Sequence, residues 1–191
     1  VWDERLAALR LERLKRSADH VNQYTGLRWA DDPVFAIWEL VNEDWWFFNI
    51  MRGRHLQLPE FFRRTLYARW NAYLRDRYVD DVSLRAAWAG NLLSFESLES
   101  GSVALLPLAY ELSGDAQAKS LGVGVGDTVD VGIAMGDFNK RRMADVTRFL
   151  LELWIEHKRA EAAAVQSWGK SLSKSPLVWD TGIGWSLQTQ F

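Results

Sequence analysis

The sequence predicts an α/β fold built on a parallel sheet, of which the chain holds only a part. Helical periodicity alternates with short apolar runs in the order helix, strand, long excursion, helix, strand. That is the alternation of βα units. The apolar runs are too short for typical helices and too continuous for strands with one wet face, so they read as strands buried under helices on both sides. Two strands do not complete a sheet, so the expectation is an interior fragment of a larger α/β domain.

Each element has its own warrant. Residues 2–20 (WDERLAALRLERLKRSADH) place Leu6, Leu9, Leu14 and Ala18 at helical spacing among Arg, Lys and Glu, an amphipathic helix. HVNQYTGLRWADDP follows as a loop of Asn, Gly, Asp and Pro. VFAIWELV, residues 34–41, is the first strand, with Pro33 at a tolerated position before it. Residues 59–78 form a helix opened by Pro59, with Phe62, Leu66, Trp70, Tyr73 and Leu74 on its apolar face. A short helix over 82–89 ends at Gly90. Residues 91–137 carry most of the glycines and no convincing element, and read as an irregular insertion. Residues 138–168 are the longest helix, stopped by Gly169. KSPLVWDTG supplies a second buried strand at 176–181.

Composition excludes several function classes. The 191 residues are 48% hydrophobic and 25% charged, with a net charge of −2. That is globular composition without the basic excess of a nucleic-acid binder. There are no cysteines, hence no thiolate nucleophile and no cysteine zinc site. No apolar run reaches a membrane span. The chain opens on Val1 with a charged stretch, so no signal peptide is legible, and no motif assigns a compartment or an oligomeric state. Eleven tryptophans among 25 aromatics fit two uses: indoles that fill a core, and indoles that stack on flat ligands such as sugars.

The chemistry concentrates at Asn42-Glu43, where the first strand ends. In parallel α/β folds the C-terminal strand ends hold the active site. Glu39 and Glu43 share parity and would face one way. On an extended strand their α-carbons lie roughly 13 Å apart, against the about 5–5.5 Å between carboxyls that a retaining glycosidase needs. Glu39 is therefore expected to join a buried network, and Glu43 needs a partner from another strand. His20, His55 and His157 have no metal-ligand spacing and are read as surface or helix-terminal. The sequence calls for no metal and no cofactor. GVGVGD at 122–127 matches no phosphate loop. Eight arginines face four acids between 52 and 85, a local excess of +4 that suits an anion or a solvated helix face. There is no serine elbow.

DDPVFAIWELVNEDWW resembles the fourth strand of the clan-A retaining glycoside hydrolases, whose buried strand ends in Asn-Glu. HVNQYTGLRWADDP is similar to the approach to that strand in cellulase-like bacterial members. RWNAYLRDRYVDDVSLRAAWAG resembles the segment that follows it in family forty-two beta-galactosidases, and DFNKRRMADVTRFLLELWIEHKR resembles the helix before their fifth strand. The resemblance covers residues 1–90 and about 137–181. It departs at 113–137, which has no counterpart, and at WDTGIGW, which lacks the Thr-Asn ending of the galactosidases.

The resemblance implies that residues 1–191 are a fragment of a (β/α)8 TIM barrel. The fragment would run from about the third helix to the fifth strand, with the insertion 91–137 after the fourth. It implies hydrolysis of O-glycosidic bonds in an oligo- or polysaccharide by double displacement. Glu43 would be the general acid/base, and Asn42 would bind the sugar hydroxyl beside the anomeric carbon. Trp45, Trp46 and Trp185 would be sugar platforms. The nucleophile belongs to the seventh strand, outside these residues, so the fragment alone is expected to be inactive. The alternative is a non-catalytic carbohydrate-binding or scaffold protein derived from such a barrel.

Overall fold

Asp3 opens the first helix: its carboxylate accepts from the Leu6 amide at 2.8 Å, satisfying one of the orphan donors of a helix start. Helix α1 then runs Glu4–Ala18, with Lys15 and Arg16 in its last turn to complement the dipole. In the computed structural model the described residues are 1–42, 49–50, 54–106, 140–169 and, as backbone, 177–180. They fall into two compact units, Val1–Phe47 with Glu152–Phe191 and Phe48–Leu151.

In the first unit, strand β1 (Ile37–Val41) pairs in parallel with β2 (Leu177–Asp180). Ile37 lies opposite Leu177, Glu39 opposite Trp179 and Val41 opposite Asp180. The last step takes two residues on β1 and one on β2, a bulge at Leu40. Ala18, Ala30, Leu40 and Val165 form the core, with Leu14, Trp38 and Trp168 packed around it. The expectation that β1 is buried on both faces is corrected. Trp38 and Leu40 point into this core, but Ile37 is 56% exposed and Glu39 is exposed. Among the described residues, the packing against β1 covers one face only.

The loop after α1 is more ordered than its composition suggests. Val21 and Arg28 form an antiparallel bridge. A 3-10 turn follows over Trp29–Asp31. Arg28 donates to Asp19 (2.7 Å), to Asp31 (2.8 Å) and to the Trp168 carbonyl (3.2 Å). Gly169 is required here, because a Cβ at that position would overlap the carbonyl of Ala30.

In the second unit, α2 (Glu60–Arg75) buries Leu66, Trp70, Tyr73 and Leu74, four of the five apolar-face residues the periodicity selects. The Trp70 ring stacks on Tyr73 at 5.7 Å and on Trp88 at 6.4 Å, and Phe149 tilts against it at 5.2 Å. Helix α3 (Asp81–Ala87) starts at a capping box in which Asp80 accepts from the Ser83 amide at 2.7 Å. Past its end, Gly90 takes a φ of +87° and its N–H returns to the Arg85 carbonyl at 2.7 Å. Residues 91–106 hold no helix or strand, yet Leu92, Leu98, Val103 and Leu105 are buried.

That segment is ordered by polar groups. Asn71 clamps Val103 from both sides, donating at 3.0 Å and accepting at 3.1 Å. Glu96 accepts from the amides of Leu93 (2.8 Å) and Ala104 (2.9 Å) and pairs with Arg142. The two charged side chains are 0% and 1% exposed. Arg142 also lies over the Trp88 ring at 4.7 Å and donates to the Ala104 carbonyl at 2.9 Å. Both carboxylate oxygens are thus engaged, as a buried pair requires, while Arg142 Nε has no partner among the described residues.

Arg142 belongs to α4 (Lys140–Ser167), whose residues through Leu151 lie in the second unit and from Glu152 in the first. The insertion beyond residue 106 lies outside the described residues.

Two sequence readings change. His55 and His157 are buried rather than superficial. His55 sits in a 3-10 turn (Arg54–Gln57) with Nε2 at 3.0 Å from the Leu105 carbonyl, and burial holds it below the ordinary histidine range. Much of the arginine excess is spent on carbonyl oxygens. Arg63 donates to Leu56, Arg75 to Leu98, Arg77 to Tyr73 and Arg85 to Leu92.

Candidate functional site

The candidate site begins where β1 ends. Asn42 follows Val41 directly and is exposed, so the strand delivers it to the surface at its C-terminal end. Register brings Asp180, the last residue of β2, opposite Val41. The two parallel strands therefore finish side by side, the arrangement in which α/β folds gather reactive groups.

A charged cluster supports the strand from below. Arg10 of α1 donates through its Nη2 to the Leu40 carbonyl at 3.4 Å and through its Nε to Glu161 of α4. Glu161 is almost fully buried and also takes His157 Nε2 at 3.2 Å and Lys158 Nζ at 3.3 Å. Burial alone would raise its carboxyl. The hydrogen bonds of His157 and Arg10, with the charges of Lys158 and His157, outweigh burial and hold it down at about 2. A permanently ionised Glu161 thus fixes Arg10, and Arg10 fixes the carbonyl at the bulge.

Sequence reasoning did not single out Arg10 or Glu161. A signal for Glu161 exists. Leu150, Trp154, His157, Glu161 and Val165 recur at helical spacing, and all are buried, so an acid in that stripe needs a cation. Nothing local marks Arg10 as the partner.

Of the residues assigned to the site, the structure places Asn42. Glu43, Trp45, Trp46 and Trp185 lie outside the described residues. Glu39 was expected to join a buried network and is instead exposed. Among the described residues no group of three acidic, histidine or cysteine side chains is arranged to hold a metal ion. No helix among them is long and apolar enough to cross a membrane. Comparison with protein-family models, with curated proteins and with solved structures finds no match to the chain.

Proposed function

We propose that the chain is part of a retaining glycoside hydrolase of the (β/α)8 barrel type, with Glu43 as its general acid/base and Asn42 as the residue that orients the sugar. The observation that carries this reading is the strand end. Strand β1, which Asn42 follows directly, runs parallel to β2, the next strand among the described residues, with its register shifted at the last step. A long helix lies between them in sequence. A bulge at Leu40, two residues before Asn42, adds support, since bulges next to active sites re-aim the side chains that follow. The reading also accounts for the uncovered Ile37–Glu39 face, because in a barrel that face turns inward and is filled by the other strands.

The chemistry follows from the two-step mechanism. Protonated Glu43 gives its proton to the departing glycosidic oxygen while a carboxylate from a strand outside these residues attacks the anomeric carbon. Ionised Glu43 then takes a proton from water, which releases the sugar and returns the nucleophile.

The test is Glu43→Gln in the protein that carries this segment. Turnover of aryl glycosides with poor leaving groups should fall about 10²–10⁴-fold, while glycosides with highly activated leaving groups lose far less in the glycosylation step. Equal loss on both substrates would remove Glu43 from the acid role. Saturable oligosaccharide binding without any hydrolysis would point to the non-catalytic carbohydrate-binding alternative.

A further inference from the structure

The loop between α1 and β1 builds a second surface feature that uses no residue of the strand end. Its tip is a tight turn. Asn22 accepts from the Tyr24 amide through its side chain (3.0 Å) and from the Gly26 amide through its carbonyl (2.8 Å), and its own N–H reaches the Leu27 carbonyl (2.9 Å). Gly26 takes the positive φ, +70°, that closes the turn. This turn holds Tyr24 out at 88% exposure.

Two grooves flank the loop and share His20 and Trp29. One, of about 410 Å³, lies toward α1 and is lined by Leu9, Glu12, Arg13, Arg16 and Ser17. The other, of about 530 Å³, runs along Val21–Tyr24. Both volumes lie within the range of small-molecule sites. Their shared wall is a run of ring contacts. The His20 ring meets Trp29 edge-on at 4.7 Å, Trp29 packs on Phe35 at 5.6 Å, and Phe35 packs on Trp38 at 5.8 Å. Trp38 in turn packs on the core of the unit.

The charges are uneven. Arg16 is paired with Glu12. Arg13 has no ion pair or side-chain hydrogen bond among the described residues, and it is exposed. The grooves thus combine flat aromatic surface, the amide side chains of Asn22 and Gln23, and one unspent guanidinium.

We infer that these grooves form a binding site for an acidic oligosaccharide, with pyranose rings against Trp29, His20 and Tyr24 and a uronate carboxylate on Arg13. The carbohydrate class rests on the reading proposed above. The acidic character comes from Arg13 alone. A guanidinium takes a carboxylate through charge-assisted, bidentate hydrogen bonds, and aromatic faces take the apolar faces of sugar rings.

Calorimetric titration tests the inference with three probes: oligomers of galacturonic acid, the same oligomers methyl-esterified, and inorganic phosphate. The acidic oligomer should bind at least tenfold more tightly than its ester. Arg13→Gln should abolish that preference, about a tenfold loss, and leave the ester unaffected, while Arg13→Lys restores part of it. Tyr24→Ala should weaken both oligomers. Both positions are exposed, so the variants keep the fold. Equal affinity for acid and ester, Arg13-dependent binding of phosphate as tight as that of the oligomer, or no saturable binding would each overturn the proposal. Glu43→Gln separates the two readings. Unchanged oligomer affinity in that variant keeps the groove even if no hydrolysis is ever found, and lost affinity would put the sugar at the strand end instead.

Discussion

In the second unit, Trp70 and Trp88 are fully enclosed, and Trp70 stacks on both Trp88 and Tyr73. In the first, Trp29 and Trp38 stay partly exposed, linked through Phe35. The same residue type serves two ends. Tryptophan thus has two uses among the described residues: enclosed indoles, Trp70 and Trp88 in the second unit and Trp154 in the first, and half-buried ones such as Trp29 and Trp38. Charge follows the same division. Arg142 and Glu96 are sealed together, whereas Glu161 is buried but its partner Arg10 remains partly solvated. One unit is closed around a buried ion pair. The other spends its order on holding a strand end and a loop in place.

The contrast can be broken first where it is strongest. Glu96→Ala leaves Arg142 as an uncompensated buried charge and strips two amides of residues 91–106 of their acceptor. It should cost about 3–5 kcal/mol, read as a shift of the denaturant midpoint, with hydrogen exchange rising across 91–106. Gly169→Ala attacks the first unit instead. The new methyl group has no room against the backbone of Ala30, and a loss of about 2 kcal/mol is expected. Hydrogen exchange should show it in the Arg28–Asp31 turn and not in α2.

The pH dependence should separate the units by sign. Glu161 is held down at about 2, against an ordinary 4.5. Unfolding takes up a proton between these values, so its contribution is complete above about pH 4.5 and is lost as pH falls toward about 2. Tyr78 in the second unit donates to Asp145 at 2.6 Å. Burial, with that carboxylate beside it, pushes its phenol up to about 12. Here unfolding releases a proton, and the contribution is complete below about pH 10 and is lost as pH rises toward about 12. Amide protection along residues 152–167 should therefore fail on the acid limb, and around Tyr78 and Trp88 on the alkaline limb. Protection that failed everywhere at once on both limbs would dissolve the distinction. The smallest effect belongs to the uncovered face of β1. In this chain alone Ile37→Thr should move stability by no more than about 0.5 kcal/mol, and the barrel reading expects a larger loss once the other strands cover the face.

Much of the local structure was legible in the sequence because its causes are local. Pro59 and the spacing of Leu66, Trp70, Tyr73 and Leu74 mark α2. Gly90 and Gly169 end helices where their lack of a Cβ is needed. The apolar runs mark both strands. What stayed hidden depends on partners far apart in sequence. Glu96 and Arg142 are 46 residues apart, and nothing around Glu96 distinguishes it from a solvated acid, so residues 91–106 read as loose when they are buried. His55 reads as superficial because its acceptor, the Leu105 carbonyl, is 50 residues away. The run VFAIWELV looks the same whether one face of the strand is covered or two, since apolar residues occupy both. At the candidate site, Asn42 at a strand end was legible from the run that precedes it. The Arg10–Glu161 support was not, because half of it is contributed by another helix.

The bulge at Leu40 changes how this strand can be counted. A regular strand is a two-letter alternation, and any residue's side follows from its distance to a known one. Between Glu39 and Val41 that count slips by one against the neighbouring strand. Parity measured across it, as between Glu39 and Glu43, no longer says that two residues face the same way. A deletion of Leu40 would restore the alternation while removing the carbonyl that Arg10 holds. Such a variant would also lose a core side chain, and should present Asn42 from the opposite side, so this one position works as the reading frame of the strand's end.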